Sequence, residues 1–335
     1  MPTVLRLRLV VLLAVTLVMA LGLCSLPVKM AYAGSLIYGS YTNPSGTRDY
    51  QLYVPTSIND GKSHPLVVML HGCSQDPVSF AGGTRMNTLA ETHGFVALYP
   101  RQDSAYNTLK CWNWFEPAHQ GRDSGEPSII AGMVNQVKSQ YNINNRQVYL
   151  AGMSAGAGMT AIMASCYPDV FAAAAVHSGL QYKAASNLPE ALVAQVNGSS
   201  VDPDIAGRAA YGCSGVSRAV VPVVVFHGSA DSTVNPLNGQ QVVEQFAQMN
   251  DLMDDNLDND TISTNKYTVE LKSVEGGYNY TISSYYKNKR LILQKYLVDG
   301  MGHAWSGGDA AYNYNDSKGP DASAIIWDFL SRNRR

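Results

Sequence analysis

The chain has 335 residues, of which 46% are hydrophobic and 15% are charged, and its net charge is −2. This length and apolar content suit a globular domain with a sizeable core, and a near-neutral charge without a basic stripe argues against a nucleic-acid partner. No charge run, low-complexity linker or internal repeat divides the sequence, so we expect one domain after the N-terminal segment.

The first residues have the pattern of a cleaved export signal. Two arginines precede an apolar run over residues 9–23, and an Ala-Tyr-Ala sequence stands before Gly34. The apolar run is shorter than the roughly 18 to 20 residues that a membrane-spanning helix needs. The sequence therefore predicts a signal peptide at residues 1–33 and a secreted, monomeric domain at residues 34–335 without stable membrane association.

Short apolar segments alternate with helix-like segments along the mature chain. Residues 48–54 alternate in polarity like a half-exposed outer strand, and a serine followed by an early acid and proline at residues 124–127 is typical of a helix start. This alternation predicts an α/β fold, with a mostly parallel sheet covered by helices on both faces. The predicted strands are residues 48–54, 65–70, 94–100, 147–151, 219–226 and 291–298, and the predicted helices begin at Ser124, Ala155 and Asp321.

Two segments in the C-terminal half have other patterns. Residues 251–264 are polar, acidic and rich in asparagine, which predicts a surface loop. The tyrosine-rich residues 267–286 predict a β-hairpin that turns at two adjacent glycines.

The most informative motif is Gly-Met-Ser-Ala-Gly at residues 152–156, between a predicted strand and a predicted helix. A sharp strand-to-helix turn brings backbones close together, which explains the small residues on both sides of the serine. The turn presents the Ser154 hydroxyl above the sheet, next to the backbone N–H of Ala155 and the helix N-terminus. We therefore predict Ser154 as a nucleophile.

A serine hydroxyl needs a base and an orienting acid to act as a nucleophile. In α/β-hydrolases these follow the serine in the order Asp or Glu, then His. Asp231 follows the strand at residues 219–226 and His303 follows the strand at residues 291–298, so both are expected at the carboxyl edge of the sheet. The predicted catalytic triad is Ser154, Asp231 and His303.

Other acids and histidines are weaker candidates for the triad. The rival acids are Asp202, Asp204 and Asp299. His71 and His227 lie at strand ends and are expected to act as structural supports, whereas His177 follows an alanine-rich run and is expected to be a hydrogen-bonded core residue.

The second oxyanion donor is expected on the loop after an early strand. Residues 65–70 form such a strand, and His71, Gly72 and Cys73 follow it. We assign the oxyanion hole to the backbone N–H groups of Cys73 and Ala155.

Four cysteines remain after the predicted signal peptide: Cys73, Cys111, Cys166 and Cys213. An even number in an exported protein predicts two disulfides, and the sequence leaves three pairings open, with buried thiols as the alternative. We favour Cys73–Cys111, which would tie the oxyanion loop to the tryptophan-containing loop, together with Cys166–Cys213.

Three tryptophans are candidates for contact with substrate. Trp305 lies two residues beyond His303 and is expected at the cleft, and Trp112 and Trp114 would share one face of an extended segment. The alternative for this pair is that one ring packs in the core and the other lines the cleft.

Motifs along nearly the whole mature chain resemble those of extracellular poly(3-hydroxybutyrate) depolymerases and related secreted carbohydrate and feruloyl esterases. The matching stretches are residues 70–75, 111–115, 152–156, 176–179, 228–231, 302–308 and 319–323, in the same order.

This resemblance implies an α/β-hydrolase fold, no metal or organic cofactor, and cleavage of short-chain hydroxyalkanoate esters. The sequence therefore predicts a secreted serine esterase acting on poly(3-hydroxybutyrate) or its oligomers. A feruloyl or acetyl-xylan esterase with the same triad is the alternative, and a polymer-binding protein without activity would be expected to lack a triad member.

Overall fold

The computed structural model describes residues 34–216 and 219–335. The predicted signal peptide at residues 1–33 lies outside the described residues.

The centre of the molecule is one large sheet. Ten strands of the described chain form it in the order β1-β2-β4-β3-β5-β6-β7-β10-β9-β8. The strands are β1 Ser35–Asn43, β2 Gly46–Val54, β3 His64–Leu70, β4 Val96–Pro100, β5 Ile143–Met153, β6 Ala173–His177, β7 Val223–Gly228, β8 Tyr267–Ser273, β9 Asn279–Lys287 and β10 Arg290–Val298.

The six central strands run parallel, and the outer strands on both sides are antiparallel. Strands β4, β3, β5, β6, β7 and β10 pair parallel to one another. Strands β1 and β2 extend the sheet on one side, and β9 and β8 extend it on the other. Since parallel strands end at one edge, the loops after β3, β5, β7 and β10 meet there.

Eight α-helices of the described chain connect the strands and cover the sheet. They are α1 Pro77–Thr84, α2 Met86–His93, α3 Gly125–Gln140, α4 Ala155–Cys166, α5 Leu188–Asn197, α6 Pro203–Cys213, α7 Leu237–Asp255 and α8 Ala322–Ser331. None of these helices is long and apolar enough to cross a bilayer.

Buried side chains form one apolar layer on each face of the sheet. Along β3, Leu66, Val68 and Leu70 belong to one layer, and Val67 and Met69 belong to the other. Strands buried on both faces are typical of a parallel sheet between helices. The predicted α/β architecture, mostly parallel with helices on both faces, is confirmed.

One predicted boundary is wrong. Helix α7 continues to Asp255, so the loop that was expected from residue 251 begins after that residue. The carboxylate of Asp251 is buried and accepts hydrogen bonds from the backbone N–H groups of Asn259 (2.9 Å) and Thr261 (2.6 Å). Asp251, whose acidic side chain suggested a loop, is therefore part of the helix, and its carboxylate holds the loop that follows.

A small second sheet lies on the C-terminal side of β10. Strand β11 (Trp305–Ser306) pairs parallel with β12 (Asn315–Asp316). It lies within the segment that follows β10 at the carboxyl edge of the main sheet.

Candidate active site

Ser154 stands alone between strand β5 and helix α4. Its backbone has φ 56° and ψ −123°, a strained conformation for a residue with a side chain. The backbone N–H of Ser154 donates to the carbonyl oxygen of His177 on the neighbouring strand, at 2.9 Å. Such an observed strain at a strand-to-helix turn is typical of a nucleophile elbow.

The two glycines of the motif are required by close backbone contacts. A Cβ on Gly156 would lie 2.1 Å from the carbonyl oxygen of Leu70, at the end of β3. A Cβ on Gly152 would lie 2.3 Å from the carbonyl oxygen of Gly156. Both glycines therefore allow helix α4 to pack against the carboxyl ends of β3 and β5.

Asp231 and His303 meet at the same edge of the sheet. The Nδ1 atom of His303 lies 2.7 Å from Oδ2 of Asp231. The other carboxylate oxygen of Asp231 accepts from the backbone N–H groups of Thr233 (3.0 Å) and Val234 (2.8 Å). This arrangement fixes the carboxylate and assigns the proton on Nδ1 of His303 to the bond with Asp231.

The carboxylate of Asp231 is held in its charged form. Burial raises its pKa, but hydrogen bonds from His227, His303 and the backbone N–H of Val234, with the nearby His303 ring, outweigh burial, so the pKa lies well below its ordinary value. The Nε2 atom of His227 lies 2.8 Å from the carbonyl oxygen of Val234 and 3.5 Å from Oδ2 of Asp231. His227 thus supports the loop that carries Asp231, the structural role predicted for it.

The loops that carry Asp231 and His303 are tied to each other directly. The backbone N–H of Ala230 donates to the carbonyl oxygen of Met301 at 3.0 Å, and that of Gly300 donates to the Ser229 hydroxyl at 2.8 Å. A Cβ on Gly228 would lie 2.2 Å from the carbonyl oxygen of Met301, so this contact also needs a glycine.

Ser154 and His303 line one cleft of about 420 Å³ at the carboxyl edge of the sheet. The Ser154 and His303 side chains are largely enclosed, with the His303 side chain 10% exposed. The cleft walls also include Gly72, Cys73, Gln75, Leu109, Trp114, Phe115, Leu188, Leu192 and Tyr314. A hydroxyl, an imidazole and a buried carboxylate grouped at one cleft are the components of nucleophilic acyl transfer.

The loop after β3 reaches the cleft as the sequence predicted. Its Gly72 N–H donates to the Gln75 side-chain carbonyl at 2.8 Å, and its Ser74 N–H donates to the carbonyl oxygen of Leu109 at 2.7 Å. Between them, Cys73 lines the cleft, and its N–H and that of Ala155 donate to no other residue in the described part of the chain. Both N–H groups are therefore available to a bound oxyanion.

His71 supports this loop and is not exposed to the cleft. Its Nε2 atom accepts from the Gln102 N–H at 3.1 Å, so the proton of the neutral ring is on Nδ1, which lies 2.8 Å from the carbonyl oxygen of Gly72. Complete burial lowers the pKa of His71 to about 4.

The four cysteines form two disulfides, Cys73–Cys111 and Cys166–Cys213. This is the pairing that we favoured from the sequence. The first joins the oxyanion loop to the segment before Trp112, and the second joins the end of helix α4 to the end of helix α6.

The prediction that Trp305 lines the cleft is wrong. Its side chain is buried in the apolar layer that also contains Val67 and Met69. It is stacked on the His177 ring, with centroids 4.8 Å apart. Its indole N–H donates to the Ser323 hydroxyl at 3.0 Å. The partners of the ring, His177, Phe80 and Ser323, lie in the core, and proximity in sequence to His303 does not reveal that direction.

Trp112 and Trp114 are both buried in the same core layer, and of the two only Trp114 also lines the cleft. Trp112 is completely buried, and its ring centroid lies 5.8 Å from that of His71. Trp114 lines the cleft and packs against Phe115. The alternative interpretation, with one ring only in the core and the other at the cleft, is the correct one, and the prediction that Trp112 contacts substrate is wrong.

Sequence reasoning missed an exposed apolar rim around the cleft. The rim consists of Leu109, Leu188, Leu192 and Tyr314; the three leucines are each more than half exposed and Tyr314 is 45% exposed. Helix α5 contributes two of the leucines, and its Val193 and Val196 are also exposed. The sequence signal was the group of apolar residues in the short segment 188–196. The structure shows that these side chains are exposed and do not belong to the core.

No group of three or more His, Cys, Asp or Glu side chains is arranged to hold a metal ion within residues 34–216 and 219–335.

Comparisons with known proteins agree on one family. A family model described as "Esterase PHB depolymerase" matches residues 48–265. The poly(3-hydroxyalkanoate) depolymerase C of Paucimonas lemoignei is 34% identical over 286 residues, which are 83% of this chain and 64% of that protein. The acetylxylan esterase A of Talaromyces purpureogenus is 36% identical over 230 residues, which are 65% of this chain and 58% of that protein.

A solved structure supports the fold. The acetyl xylan esterase from Aspergillus awamori superposes with a TM-score of 0.71 at 24% identity, covering 89% of this chain and 99% of that one. The predicted α/β-hydrolase fold is therefore confirmed.

Proposed function

The chain belongs to the esterase PHB depolymerase family, and from this premise we propose that it is a secreted serine carboxylesterase that hydrolyses poly(3-hydroxybutyrate) or its oligomers. The observation that carries the proposal is the 2.7 Å contact between Asp231 and His303 at the cleft that Ser154 also lines. Export with a signal peptide at residues 1–33, and action as a monomeric single domain over residues 34–335, are part of this proposal.

The proposed reaction begins with attack of the Ser154 hydroxyl oxygen on the ester carbonyl carbon. Nε2 of His303 takes the serine proton, and the charged Asp231 stabilises the imidazolium that results. The N–H groups of Cys73 and Ala155 stabilise the negative oxygen of the tetrahedral intermediate, an interaction worth roughly 100- to 1,000-fold in turnover per donor.

The intermediate then collapses to an acyl-enzyme. The bond to the leaving alkoxide breaks, and that oxygen takes the proton from His303 and departs as an alcohol. His303 next removes a proton from water, whose oxygen attacks the acyl carbon. Release of the carboxylic acid returns the proton to Ser154, so no cofactor is needed.

The apolar rim supports an aliphatic polyester as substrate. Leu109, Leu188 and Leu192 present aliphatic side chains to solvent around the cleft, where a hydroxybutyrate chain offers methyl and methylene groups. Burial of such groups contributes about 25 cal/mol per Å². Trp114 and Phe115 provide an apolar wall deeper in the cleft.

A second candidate is an acetyl-xylan or feruloyl esterase with the same triad. The identity to an acetylxylan esterase favours it, since this relative is 36% identical over 230 residues, compared with 34% over 286 residues for the depolymerase. A small acyl group fits the same oxyanion hole, and the chemistry is unchanged.

A comparison of three substrates tests the proposal. We expect acid release from a hydroxybutyrate film to exceed release from acetylated xylan and methyl ferulate under the same conditions. Ser154→Ala should abolish hydrolysis of all three and of p-nitrophenyl butyrate. Faster release from xylan or ferulate would favour the second candidate, and an active Ser154→Ala variant would refute the serine mechanism.

A further inference from the structure

His177 makes contacts to both halves of the site, although it does not line the cleft. It is the last residue of strand β6, paired with Met153 in β5 on one side and Phe226 in β7 on the other. Its ring is completely buried. The sequence motif around it, Val-His-Ser-Gly, has no part in the reaction proposed above.

The main chain of His177 contacts the nucleophile. Its carbonyl oxygen accepts the backbone N–H of Ser154 at 2.9 Å. This hydrogen bond continues the ladder between β5 and β6 into the strained turn, so it fixes the residue whose φ is 56°. The position of Ser154 therefore depends on the end of β6.

The side chain of His177 contacts the loop that carries His303. Its Nε2 atom accepts the backbone N–H of Ser306 at 3.0 Å. An N–H group can only donate, so the neutral ring carries its proton on Nδ1, which lies 3.1 Å from the Ser178 hydroxyl. Ser306 is itself completely buried, so its N–H has no access to water as an alternative acceptor.

The surroundings keep the ring neutral and in place. It is stacked between Trp305, with centroids 4.8 Å apart, and Phe226, with centroids 5.4 Å apart. Burial, together with the nearby rings of His227 and His303, lowers its pKa well below the ordinary value, against an opposing effect from Asp231. A neutral ring retains the acceptor that Ser306 requires.

We propose that His177 is a positioning residue that sets the placement of His303 relative to Ser154 through these two hydrogen bonds. One residue thus joins the turn of the nucleophile to the loop of the base. Among the hydrogen bonds that hold the base loop, the bond of Met301 to the Asp231 loop and the bond of Ser306 to His177 lie on either side of His303. This inference rests on the proposed roles of Ser154 and His303.

A structural role and a positioning role of His177 predict different replacements as the most active. If the ring only fills space, phenylalanine is the best replacement, because it preserves the stack with Trp305 and Phe226. If the acceptor matters, glutamine is the best replacement, because its Oε1 reaches the position of the histidine Nε2. Asparagine is the matched control, since it is also an amide but is one methylene too short to reach Ser306.

The test measures kcat and KM of His177→Gln, His177→Asn and His177→Phe on p-nitrophenyl butyrate, with near-UV circular dichroism to verify folding. Misplacement of a reacting group by about 1 Å can cost roughly 100-fold in rate. We expect kcat of the Gln variant to exceed that of the Asn and Phe variants by about tenfold or more. KM should stay within about twofold, because residue 177 does not touch the cleft.

Equal kcat values for the Gln and Asn variants, or a Phe variant as active as the Gln variant, would overturn the inference. Failure of the Gln variant to fold while the Phe variant folds would assign residue 177 to packing and would also overturn it. Ser154→Ala and His303→Ala are measured first. If these two variants remain active, the proposed function fails, whereas a failure confined to the His177 series leaves that function intact.

Discussion

Asp231 is one of several aspartates that follow a strand, and its surroundings distinguish it from the others. It is buried and bonded to His303 and to two backbone N–H groups, whereas Asp299 is exposed at the end of β10. The sequence could place both residues at the same edge of the sheet, but it could not show which carboxylate reaches the imidazole. Two hydrogen bonds between the loops, from Ala230 to Met301 and from Gly300 to Ser229, accompany the placement of Asp231 beside His303.

Replacing Asp231 with asparagine should lower kcat sharply without unfolding the protein. The amide preserves the shape but no longer stabilises the imidazolium or selects the required tautomer, which we expect to cost about 10,000-fold on p-nitrophenyl butyrate. Asp299→Asn is the matched control and should leave kcat unchanged. Comparable losses in the two variants would contradict the assignment of Asp231.

Buried neutral His71 predicts acid sensitivity of the fold. Its pKa is lowered from 6.5 to about 4 by burial, so the unfolded chain takes up a proton at a higher pH than the folded chain. Stability from this residue is therefore present above about pH 6.5 and is lost as the pH falls towards 4, by about 3 kcal/mol in total. Asp76 opposes this shift, whereas Lys110 and Arg101 add to it.

Urea unfolding between pH 7 and pH 4 measures this effect. The free energy of unfolding should fall less steeply in His71→Asn than in the wild type, because asparagine retains a donor for Gly72 but does not titrate. Parallel curves for the two proteins would show that His71 is not the group responsible.

Among the elements, the oxyanion loop is held by a disulfide in addition to its hydrogen bonds. Cys73–Cys111 spans 38 residues and Cys166–Cys213 spans 47, so their loop-closure contributions are similar, about 4 kcal/mol each. Only the first includes a proposed oxyanion donor. The Cys166–Cys213 disulfide therefore serves as a control, with a similar expected effect on stability and no proposed role in catalysis.

Removing each disulfide with a double serine variant should separate stability from catalysis. We expect comparable decreases in Tm for the two variants. Only Cys73→Ser/Cys111→Ser should also lower kcat, by about tenfold or more, because the loop no longer holds its N–H in place. If both variants retain wild-type kcat at a temperature where they are folded, the disulfide has no role in catalysis.

Helix α5 is a second element with a place at the cleft, because its Leu188 and Leu192 line the cleft. The double variant Leu188→Ser/Leu192→Ser should lower the rate on a hydroxybutyrate film by about tenfold, since two aliphatic contacts with the polymer are lost. The rate on p-nitrophenyl butyrate should change little. Leu271→Ser, an exposed leucine on β8, is the control. Equal effects of both replacements on film hydrolysis would contradict a role for the rim.

At the scale of the whole molecule, most strands of the sheet were predictable, including β2 towards one edge and the β8–β9 hairpin at the other, whereas the edge strand β1 and the central strand β6 were not predicted. Strands β3, β4, β5, β7 and β10 are apolar runs with clear turn signals, and helix α4 begins at Ala155 as predicted. Strand β1 was missed, because its residues are mostly exposed and give no alternating pattern. Long-range pairing decides such an edge, and it leaves little trace in local sequence.

At the site, too, some features could be predicted from the sequence and others could not. The placement of Ser154, Asp231, His303 and Cys73 at the carboxyl edge was predictable, because the loops after parallel strands meet there. The direction of a ring was not predictable, as Trp305 shows, because it depends on partners such as Ser323 that are distant in sequence. The resemblance to depolymerases and related esterases is confirmed by the family match.

Covalent labelling with a fluorophosphonate, followed by peptide mapping, tests most directly whether Ser154, His303 and Asp231 act as one unit. We predict a single adduct on Ser154 in the wild type, and labelling slowed by at least about 100-fold in His303→Ala and Asp231→Asn. An adduct on a different serine, or labelling of Ser154 at the wild-type rate in either variant, would contradict the account.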